Sequence, residues 1–157
     1  MPPDATFSLR IADGIVTGYD YNGTRAPAFT TIYGMYDRHY SHTGDPDWFL
    51  PERWLDPPET LDLATPINFV STADIIGGNS GSPVLDQDLE VVGVVFDGNI
   101  ESLPGDYIYL PEFNRSVTVD SRAILESLDE IYDSDRLVLE ITTGRLVETE
   151  QEADSGR

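Results

Sequence analysis

The chain has 157 residues, of which 39% are hydrophobic, and this size and composition fit one domain with its own core. Aspartate and glutamate together number 29 against nine basic residues, all of them arginine, so the formal net charge is −20. This charge argues against nucleic-acid binding, because the phosphate backbone of a nucleic acid is also negative. The absence of cysteine excludes disulfides, thiolate metal sites and a cysteine nucleophile.

The acidic composition without lysine indicates adaptation to high salt, where screening weakens the repulsion between carboxylates. An acidic protein whose carboxylates only keep it soluble is the alternative interpretation. No apolar run is long enough to insert into a membrane, and the first residues lack the basic and apolar regions of a signal peptide.

The first predicted element is a β-hairpin, because residues 6–10 and 15–19 flank the turn signal Asp13-Gly14. Residues 36–58 are rich in proline, aspartate, histidine and aromatic residues without steady periodicity, which predicts a long surface loop with a short helical turn. The large aromatic residues of this loop are expected to pack locally rather than to bind a ligand: Tyr40, Trp48, Phe49 and Trp54.

The most informative motif is GGNSGSP at residues 77–83. Its glycines permit a tight backbone and leave main-chain amides open to an approaching carbonyl group. Chymotrypsin-type serine peptidases present their nucleophile on a turn that this segment resembles. Ser80 is therefore a candidate catalytic serine, and the amides of Gly78 and Ser80 form a candidate oxyanion hole. A turn that only precedes a strand is the alternative interpretation.

A second hairpin is predicted after this turn, with residues 84–85 and 89–96 as strands and 86–88 as the connecting turn. Residues 115–119 predict the last strand, and Asp120 stands where a helix N-cap is expected. The apolar stripe of that helix consists of Ile124, Leu125, Leu128, Ile131 and Tyr132. Residues 137–141 are ambiguous between strand and helix, and the acidic segment 142–157 predicts a disordered tail.

Several separated segments match one family in the right order: residues 3–7, 68–72, the serine turn, 96–99 and 119–122. The chain resembles the bacterial serine dipeptidyl aminopeptidases of serine peptidase family 46, the dipeptidyl-peptidase 7 and 11 type. The resemblance covers only their carboxy-terminal catalytic barrel. It implies a mainly β fold over residues 1–141: a chymotrypsin-like antiparallel β-barrel, the second of two, with a C-terminal α-helix.

The resemblance also implies an activity, the removal of dipeptides from the free N-terminus of peptides. An aspartate at the position of Asp97 looks like the family's anchor for the substrate's ammonium group. Phe96, Gly98 and Asn99 are implied as further substrate-binding residues. In relatives that prefer acidic substrate residues before the scissile bond, an arginine stands at the position of Gly98. The glycine of this chain therefore implies a preference for an apolar or aromatic substrate side chain. From its sequence context alone, Asp97 is a turn aspartate before glycine.

A serine nucleophile needs an imidazole that takes its proton and a carboxylate that orients the imidazole. His39 and His42 are the two histidines of the chain, and Asp45 or Asp47 could complete a triad with one of them. Locally bonded or solvated histidines are expected instead, because a polar loop rarely places a catalytic base.

In the resembling family the histidine and aspartate of the triad come from the first barrel. We therefore expect this chain to be a C-terminal fragment with the nucleophile but without the base, inactive alone. Its expected partners are a peptide substrate and the missing N-terminal barrel and helical domain. The resemblance implies a periplasmic or extracellular enzyme without metal or organic cofactor. A noncatalytic peptide-binding remnant of the barrel is the alternative.

Overall fold

The structure is a computed structural model that describes residues 9–154. The chain divides into two compact units. The first comprises the chain up to Thr31 together with Pro66–Arg122, and the second comprises Ile32–Thr65 together with Ala123–Arg157. None of the helices within residues 9–154 has both the length and the apolar character that a membrane span requires.

The first unit is built on antiparallel strands: β1 (Tyr19–Tyr21), β2 (Thr24–Ala26), β3 (Phe29–Thr31), β4 (Pro66–Ser71), β5 (Pro83–Leu85), β6 (Val91–Gly98) and β7 (Ser116–Asp120). Strands β1 and β2 pair with each other, and the other five form one sheet in the order β3-β4-β7-β6-β5. The predicted mainly β, antiparallel fold is thereby confirmed, as is the predicted hairpin of β5 and β6.

Strand β7 lies at the centre of the sheet and buries alternate polar residues, because strand side chains alternate between the two faces. Ser116, Thr118 and Asp120 are all nearly inaccessible to solvent. The Ser116 hydroxyl is 2.7 Å from the Ser71 hydroxyl of β4, so these two groups satisfy each other. Phe69 of β4 supplies apolar packing in the same unit.

The first hairpin differs from the prediction. Strands β1 and β2 turn through Asn22-Gly23, whose φ angles of 48° and 73° suit a type I′ turn. Residues 13–14 do not form a hairpin turn within the described range. Instead, the Ile15 amide donates to the Thr72 hydroxyl at 3.0 Å, and the Thr72 amide donates to the Ile15 carbonyl at 3.1 Å. Residues 6–8 of the predicted first strand lie outside the described residues.

The second unit begins with helix α1 (Ile32–Ser41), followed by 3₁₀ turns at Pro46–Trp48 and Glu52–Trp54. The predicted long loop therefore contains a ten-residue helix. Tertiary contacts hold this helix, since Ile32 is fully buried and the Tyr36 hydroxyl donates to the Trp54 carbonyl at 2.7 Å. The expected local packing of aromatic residues is confirmed for Trp54, which is buried, and for Tyr40 and Trp48, whose rings lie against Tyr36 and His42 respectively. Phe49 is mostly exposed.

The C-terminal helices are α2 (Ser121–Glu126), which continues as a π-turn at Ser127–Ile131, α3 (Asp135–Thr143) and α4 (Glu150–Asp154). The Asp120 carboxylate accepts a hydrogen bond from the Arg122 amide at 2.9 Å, so the predicted N-cap is confirmed. Ile131 of the predicted apolar stripe is buried. The ambiguous residues 137–141 are helical, and α3 ends at Gly144 in the left-handed conformation.

The structure differs from the predicted disordered tail, since residues 150–154 are helical. Two contacts account for this order. The Arg136 amide at the start of α3 donates to the Glu150 carboxylate at 2.9 Å, and its guanidinium donates to the Val147 carbonyl at 3.1 Å. Ala153 is fully buried. A segment poor in apolar residues is held here by hydrogen bonds that composition does not reveal.

Candidate active site at the serine turn

The serine turn is closed by its own asparagine. The Asn79 side-chain oxygen accepts a hydrogen bond from the Ile76 amide at 3.0 Å, and the Asn79 amide donates to the Ile76 carbonyl at 3.1 Å. Gly78 and Gly81 adopt φ angles of 93° and 90°, which side chains rarely tolerate. The glycines of the motif therefore permit the backbone conformation of the turn that carries Ser80, and the asparagine closes this turn by hydrogen bonds.

Strand β6 holds this turn in place. The Gly81 amide donates to the Val95 carbonyl at 2.8 Å, and the Val95 amide donates to the Ser82 carbonyl at 3.0 Å. The Ser80 hydroxyl donates to the Phe96 carbonyl at 3.2 Å. The β6–β7 register shifts between Val95 and Asp97, so Phe96 is the extra residue of a β-bulge. The bulge places a main-chain acceptor beside the exposed candidate nucleophile.

Two main-chain donors of the turn remain available. Within residues 9–154, the amides of Gly78 and Ser80 donate to no acceptor, and both residues are solvent-exposed. Their neighbour Gly81 uses its amide to bind β6. An oxyanion hole needs free amide donors at such a position, so the geometry is compatible with the predicted role.

The segment Asp97-Gly98-Asn99 follows directly after the bulge. Asp97 is exposed, and its carboxylate accepts a hydrogen bond from the Gly98 amide at 2.7 Å. Gly98 pairs with Ser116 at the end of the strand. The structure therefore brings the Phe96 carbonyl to the Ser80 hydroxyl and leaves the carboxylate of the following residue, Asp97, accessible.

Asn99 has a different environment, because its side chain is buried and bonded on both sides. Its amide nitrogen donates to the Glu101 carboxylate at 2.9 Å and to the Phe113 carbonyl at 2.8 Å. Its side-chain oxygen accepts from the Arg115 amide at 2.9 Å. The amide group fixes the backbone after Gly98 and has little capacity left for a substrate.

Arg115 is a buried residue that the sequence-based reasoning did not single out. Its guanidinium donates to the carbonyls of Thr17 at 3.1 Å, Gly18 at 3.0 Å and Pro111 at 2.8 Å. Its main chain and the Asn99 main chain are joined by a further hydrogen bond of 2.9 Å. Arg115 thus connects the start of the unit to the segment after the candidate site. One arginine among nine gives no sequence signal for this role.

Tyr19 lies near the same polar network. Burial raises the pKa of its hydroxyl above the ordinary value of 10.0, and the negative charge of Glu101 raises it further. The Arg115 guanidinium lies 5.9 Å from the centre of the Tyr19 ring, within the range of a cation–π contact. Tyr19 therefore stays neutral at physiological pH and acts as a packing residue of the network.

The two histidines are bound locally in the second unit. His39 Nδ1 lies 2.7 Å from the Trp48 carbonyl, and His42 Nδ1 lies 3.0 Å from the Arg38 carbonyl. The Asp45 carboxylate accepts from the Asp47 amide at 3.1 Å. Over residues 9–154, no carboxylate forms an ion pair with either imidazole. The described structure therefore assembles no histidine–aspartate pair from these residues.

The described part of the chain offers no metal site built from three or more histidine, cysteine, aspartate or glutamate side chains. What it offers is an exposed serine on a glycine-lined turn, two free main-chain amides and a carboxylate directly after the neighbouring bulge. These features lie in a mainly β chain and are compatible with the predicted serine-peptidase turn.

The comparison with known families identifies the class. Residues 1–143 match the model of the family Peptidase S46, so the chain belongs to this peptidase family. It is 33% identical over 149 residues to dipeptidyl-peptidase 7 of Phocaeicola vulgatus, a match that covers 89% of this chain and 20% of that protein. It is 32% identical over 171 residues to the Asp/Glu-specific dipeptidyl-peptidase of Shewanella putrefaciens, covering 88% of this chain and 23% of that protein.

A solved structure is similar over most of the chain. The crystal structure of Porphyromonas endodontalis DPP11 in complex with the dipeptide Arg-Glu matches with a TM-score of 0.77 and 28% sequence identity. The match covers 88% of this chain and 21% of that protein. The chain thus spans about a fifth of the length of the relatives that it matches.

Proposed function

We propose that this chain is the nucleophile-bearing part of a serine-type dipeptidyl-peptidase, with Ser80 as the nucleophile. One observation carries the proposal: the Ser80 hydroxyl binds the carbonyl of Phe96, the residue directly before Asp97. The candidate nucleophile and the candidate anchor for a substrate's amino group therefore belong to two segments in direct contact. Membership of a peptidase family supports the same conclusion.

In the proposed reaction, Ser80 Oγ attacks the carbonyl carbon of the second residue of a peptide, and its proton passes to a general base. The amides of Gly78 and Ser80 stabilise the negative oxygen of the tetrahedral intermediate. Collapse of the intermediate releases the shortened peptide as an amine, which takes up the proton, and leaves a dipeptidyl ester on Ser80. Water then hydrolyses the ester and releases the dipeptide.

Asp97 is proposed to bind the substrate's α-ammonium group. Its carboxylate is exposed and accepts one described hydrogen bond, from the Gly98 amide, so lone pairs remain for a charged donor. An anchor at a fixed distance from Ser80 selects peptides by their free N-terminus. Asn99 holds this segment through its buried bonds and is proposed as a positioning residue rather than a contact to substrate.

The general base is proposed to come from outside this chain. Both described imidazoles bind carbonyl groups in the second unit, and neither has a carboxylate to orient it. Because the relatives are about five times longer than the matched segment, they contain further residues that can supply a base. The isolated chain is therefore expected to bind peptides without hydrolysing them.

The test is a fusion in which this chain replaces the matching segment of the Phocaeicola vulgatus enzyme, with release of dipeptides from a fluorogenic substrate as the readout. We expect activity that Ser80→Ala abolishes. Ser82→Ala is the matched control, because Ser82 belongs to the same turn and its described bonds use only main-chain atoms. Dipeptide binding without turnover by a folded fusion would favour a noncatalytic peptide-binding barrel instead.

A further inference from the structure

Arg115 carries a buried positive charge that no described carboxylate neutralises. The residue is 5% exposed. Over the described residues, an arginine and a carboxylate meet in an ion pair at Arg122 and Asp120, not at Arg115. A buried charge without a partner ion is costly, and a well-packed apolar side chain often fills such a place without loss of stability. An arginine at this position therefore requires a role beyond the filling of space.

The guanidinium of Arg115 binds two separate stretches of main chain. Its four described hydrogen bonds all end on carbonyl groups. Nε and one terminal nitrogen bind the carbonyls of Thr17 and Gly18, directly before β1. The other terminal nitrogen binds the carbonyls of Pro111 and Asn114 at 2.8 and 2.7 Å. The planar fork of a guanidinium can hold both pairs at once, whereas a lysine ammonium is a single point of contact.

Asn99 joins this clamp to the segment that carries Asp97. The Asn99 side chain donates to the Phe113 carbonyl at 2.8 Å. The Asn99 amide donates to the Arg115 carbonyl, and the Arg115 amide donates to the Asn99 side-chain oxygen, both at 2.9 Å. Gly98 alone separates Asn99 from Asp97, and the described bond of the Asp97 carboxylate is to the Gly98 amide. The position of this carboxylate therefore depends on the backbone that Asn99 and Arg115 hold.

We propose that Arg115 is a positioning residue for the recognition of the substrate's α-ammonium group. Its guanidinium fixes the chain segments that bind Asn99, and Asn99 fixes the Asp97 carboxylate relative to Ser80. This inference rests on the proposed function, since it takes Asp97 as the anchor. A charge-assisted hydrogen bond depends on distance and direction. A displaced carboxylate would therefore discriminate less between peptides with free and with blocked N-termini.

The test compares the binding of the dipeptide Leu-Phe and of its N-acetylated form to the full 157-residue chain by NMR titration. We expect wild type to bind Leu-Phe about tenfold more tightly, because only the free ammonium group can bond to Asp97. Arg115→Lys keeps the charge but cannot hold both pairs of carbonyls, so this affinity ratio should fall to about threefold. Arg122→Lys is the matched control in the same unit, because the Arg122 guanidinium binds Asp120. It should leave the affinity ratio unchanged.

The affinity ratio separates positioning from a general loss of stability, since partial unfolding lowers both affinities alike. Asp97→Asn should reduce the ratio to about one. Adding Arg115→Lys to Asp97→Asn should then change the ratio no further, because both residues act on the same contact. The Asn99 amide, which binds the Arg115 carbonyl, should exchange its hydrogen faster in Arg115→Lys and at the wild-type rate in Arg122→Lys.

The outcomes distinguish this inference from the proposed function. An affinity ratio near one in wild type, or a ratio that Asp97→Asn leaves unchanged, would overturn Asp97 as the anchor and the inference with it. A ratio that falls in Asp97→Asn but not in Arg115→Lys would overturn the role of Arg115 alone.

Asn99→Ala gives the decision if Arg115→Lys does not fold, because it breaks the link to Asp97 while the guanidinium keeps its carbonyl acceptors. A reduced affinity ratio in a folded Asn99→Ala chain would support the inference, and an unchanged ratio would overturn it.

Discussion

The Ser80 hydroxyl donates a hydrogen bond to the Phe96 carbonyl at 3.2 Å, across 16 positions of sequence. The bond is possible because the bulge between Val95 and Asp97 turns the chain at Phe96 and because the turn itself is bound to Val95. The proposed nucleophile is therefore positioned by the same irregularity of β6 that precedes the proposed substrate anchor. Disturbing the turn should affect both.

Amide hydrogen exchange in the full chain checks the geometry of the turn. The amides of Gly78 and Ser80 should exchange quickly because they lack acceptors among the described residues, whereas the Gly81 amide, bonded to Val95, should be protected. The rates can be measured by NMR at neutral pH. Protection of Gly78 and Ser80 equal to that of Gly81 would contradict the assignment of free donors.

Asn79→Ala should raise the exchange rate of Gly81 and lower the stability of the chain by about 1 kcal/mol, because the Ile76 amide loses its side-chain acceptor. Asn79→Asp is the matched control, since its carboxylate keeps an acceptor at the same position. Similar exchange rates for wild type and Asn79→Ala would show that the side chain does not close the turn.

The buried carboxylate of Asp120 should be among the strongest single contributors to stability in this unit. It accepts from the Arg122 amide at 2.9 Å and binds the Arg122 guanidinium through both oxygens at 2.9 and 2.7 Å. Asp120→Ala is expected to reduce the free energy of unfolding by about 2 kcal/mol, since it removes the helix cap and the acceptors of a guanidinium that is partly exposed.

Asp120→Asn is expected to lower the stability less, because it keeps an acceptor for the Arg122 amide and loses the charge and the second acceptor oxygen. Arg122→Ala should cost about 1 kcal/mol, because its guanidinium is more than half exposed and solvent screens the pair. Urea unfolding of the three variants gives the order of their losses in the free energy of unfolding. Equal losses for Asp120→Ala and Asp120→Asn would mean that charge alone, and not the cap, is responsible.

The elements that sequence predicted well are those with local signals. Asp120 before a helical stripe is a local pattern, and so is the turn between β5 and β6, where the Asp86 carboxylate accepts from the Asp88 amide at 2.9 Å. The Asn22-Gly23 dipeptide is an equally strong local signal for a hairpin turn, and it lies where the structure has the first hairpin.

The elements that sequence missed depend on distant partners. Ile15 forms its hydrogen bonds with Thr72, which is 57 positions away. The sequence around Asp13-Gly14 therefore contains no local signal for this pairing. Helix α1 is stabilised by the bond of Tyr36 to Trp54, which no periodicity signals. At the site, the motif predicted Ser80 and its amides, but the buried bonds of Asn99 require the folded chain.

The tyrosines should make the fold sensitive to alkaline pH. Burial raises the pKa values of Tyr19 and Tyr36 above 10.0, and the neighbours Glu101 and Tyr40 respectively add to the shift. A pKa that is higher in the folded than in the unfolded state contributes stability that is complete below the unfolded value. That stability is lost as the pH rises through the folded value. Stability should therefore fall above about pH 10.

Urea midpoints measured from about pH 8.5 to 11 test this dependence, and the absence of lysine removes the group that usually titrates in the same range. Tyr36→Phe should flatten the alkaline decline, at the cost of the hydrogen bond to the Trp54 carbonyl. Tyr33→Phe is the matched control on the same helix, because Tyr33 is 63% exposed. An unchanged slope in Tyr36→Phe would contradict the assignment.

Salt dependence tests the proposal that the acidic surface is an adaptation to high ionic strength. Acidic residues outnumber arginines by 20, so most carboxylates have no arginine to pair with and repel one another. Screening over a few ångströms in molar KCl removes this repulsion. We therefore expect the urea midpoint of the full chain to rise steeply between low salt and molar KCl.

A charge-reduced variant provides the control for general salt effects on apolar burial, which would act on both proteins alike. Four exposed carboxylates from separate segments are suitable: Asp20→Asn, Glu59→Gln, Asp74→Asn and Glu112→Gln. The variant should be more stable than wild type at low salt and should respond less to KCl, because fewer charges remain to be screened. Parallel midpoint curves for the two proteins would assign the salt response to apolar burial and overturn the electrostatic interpretation.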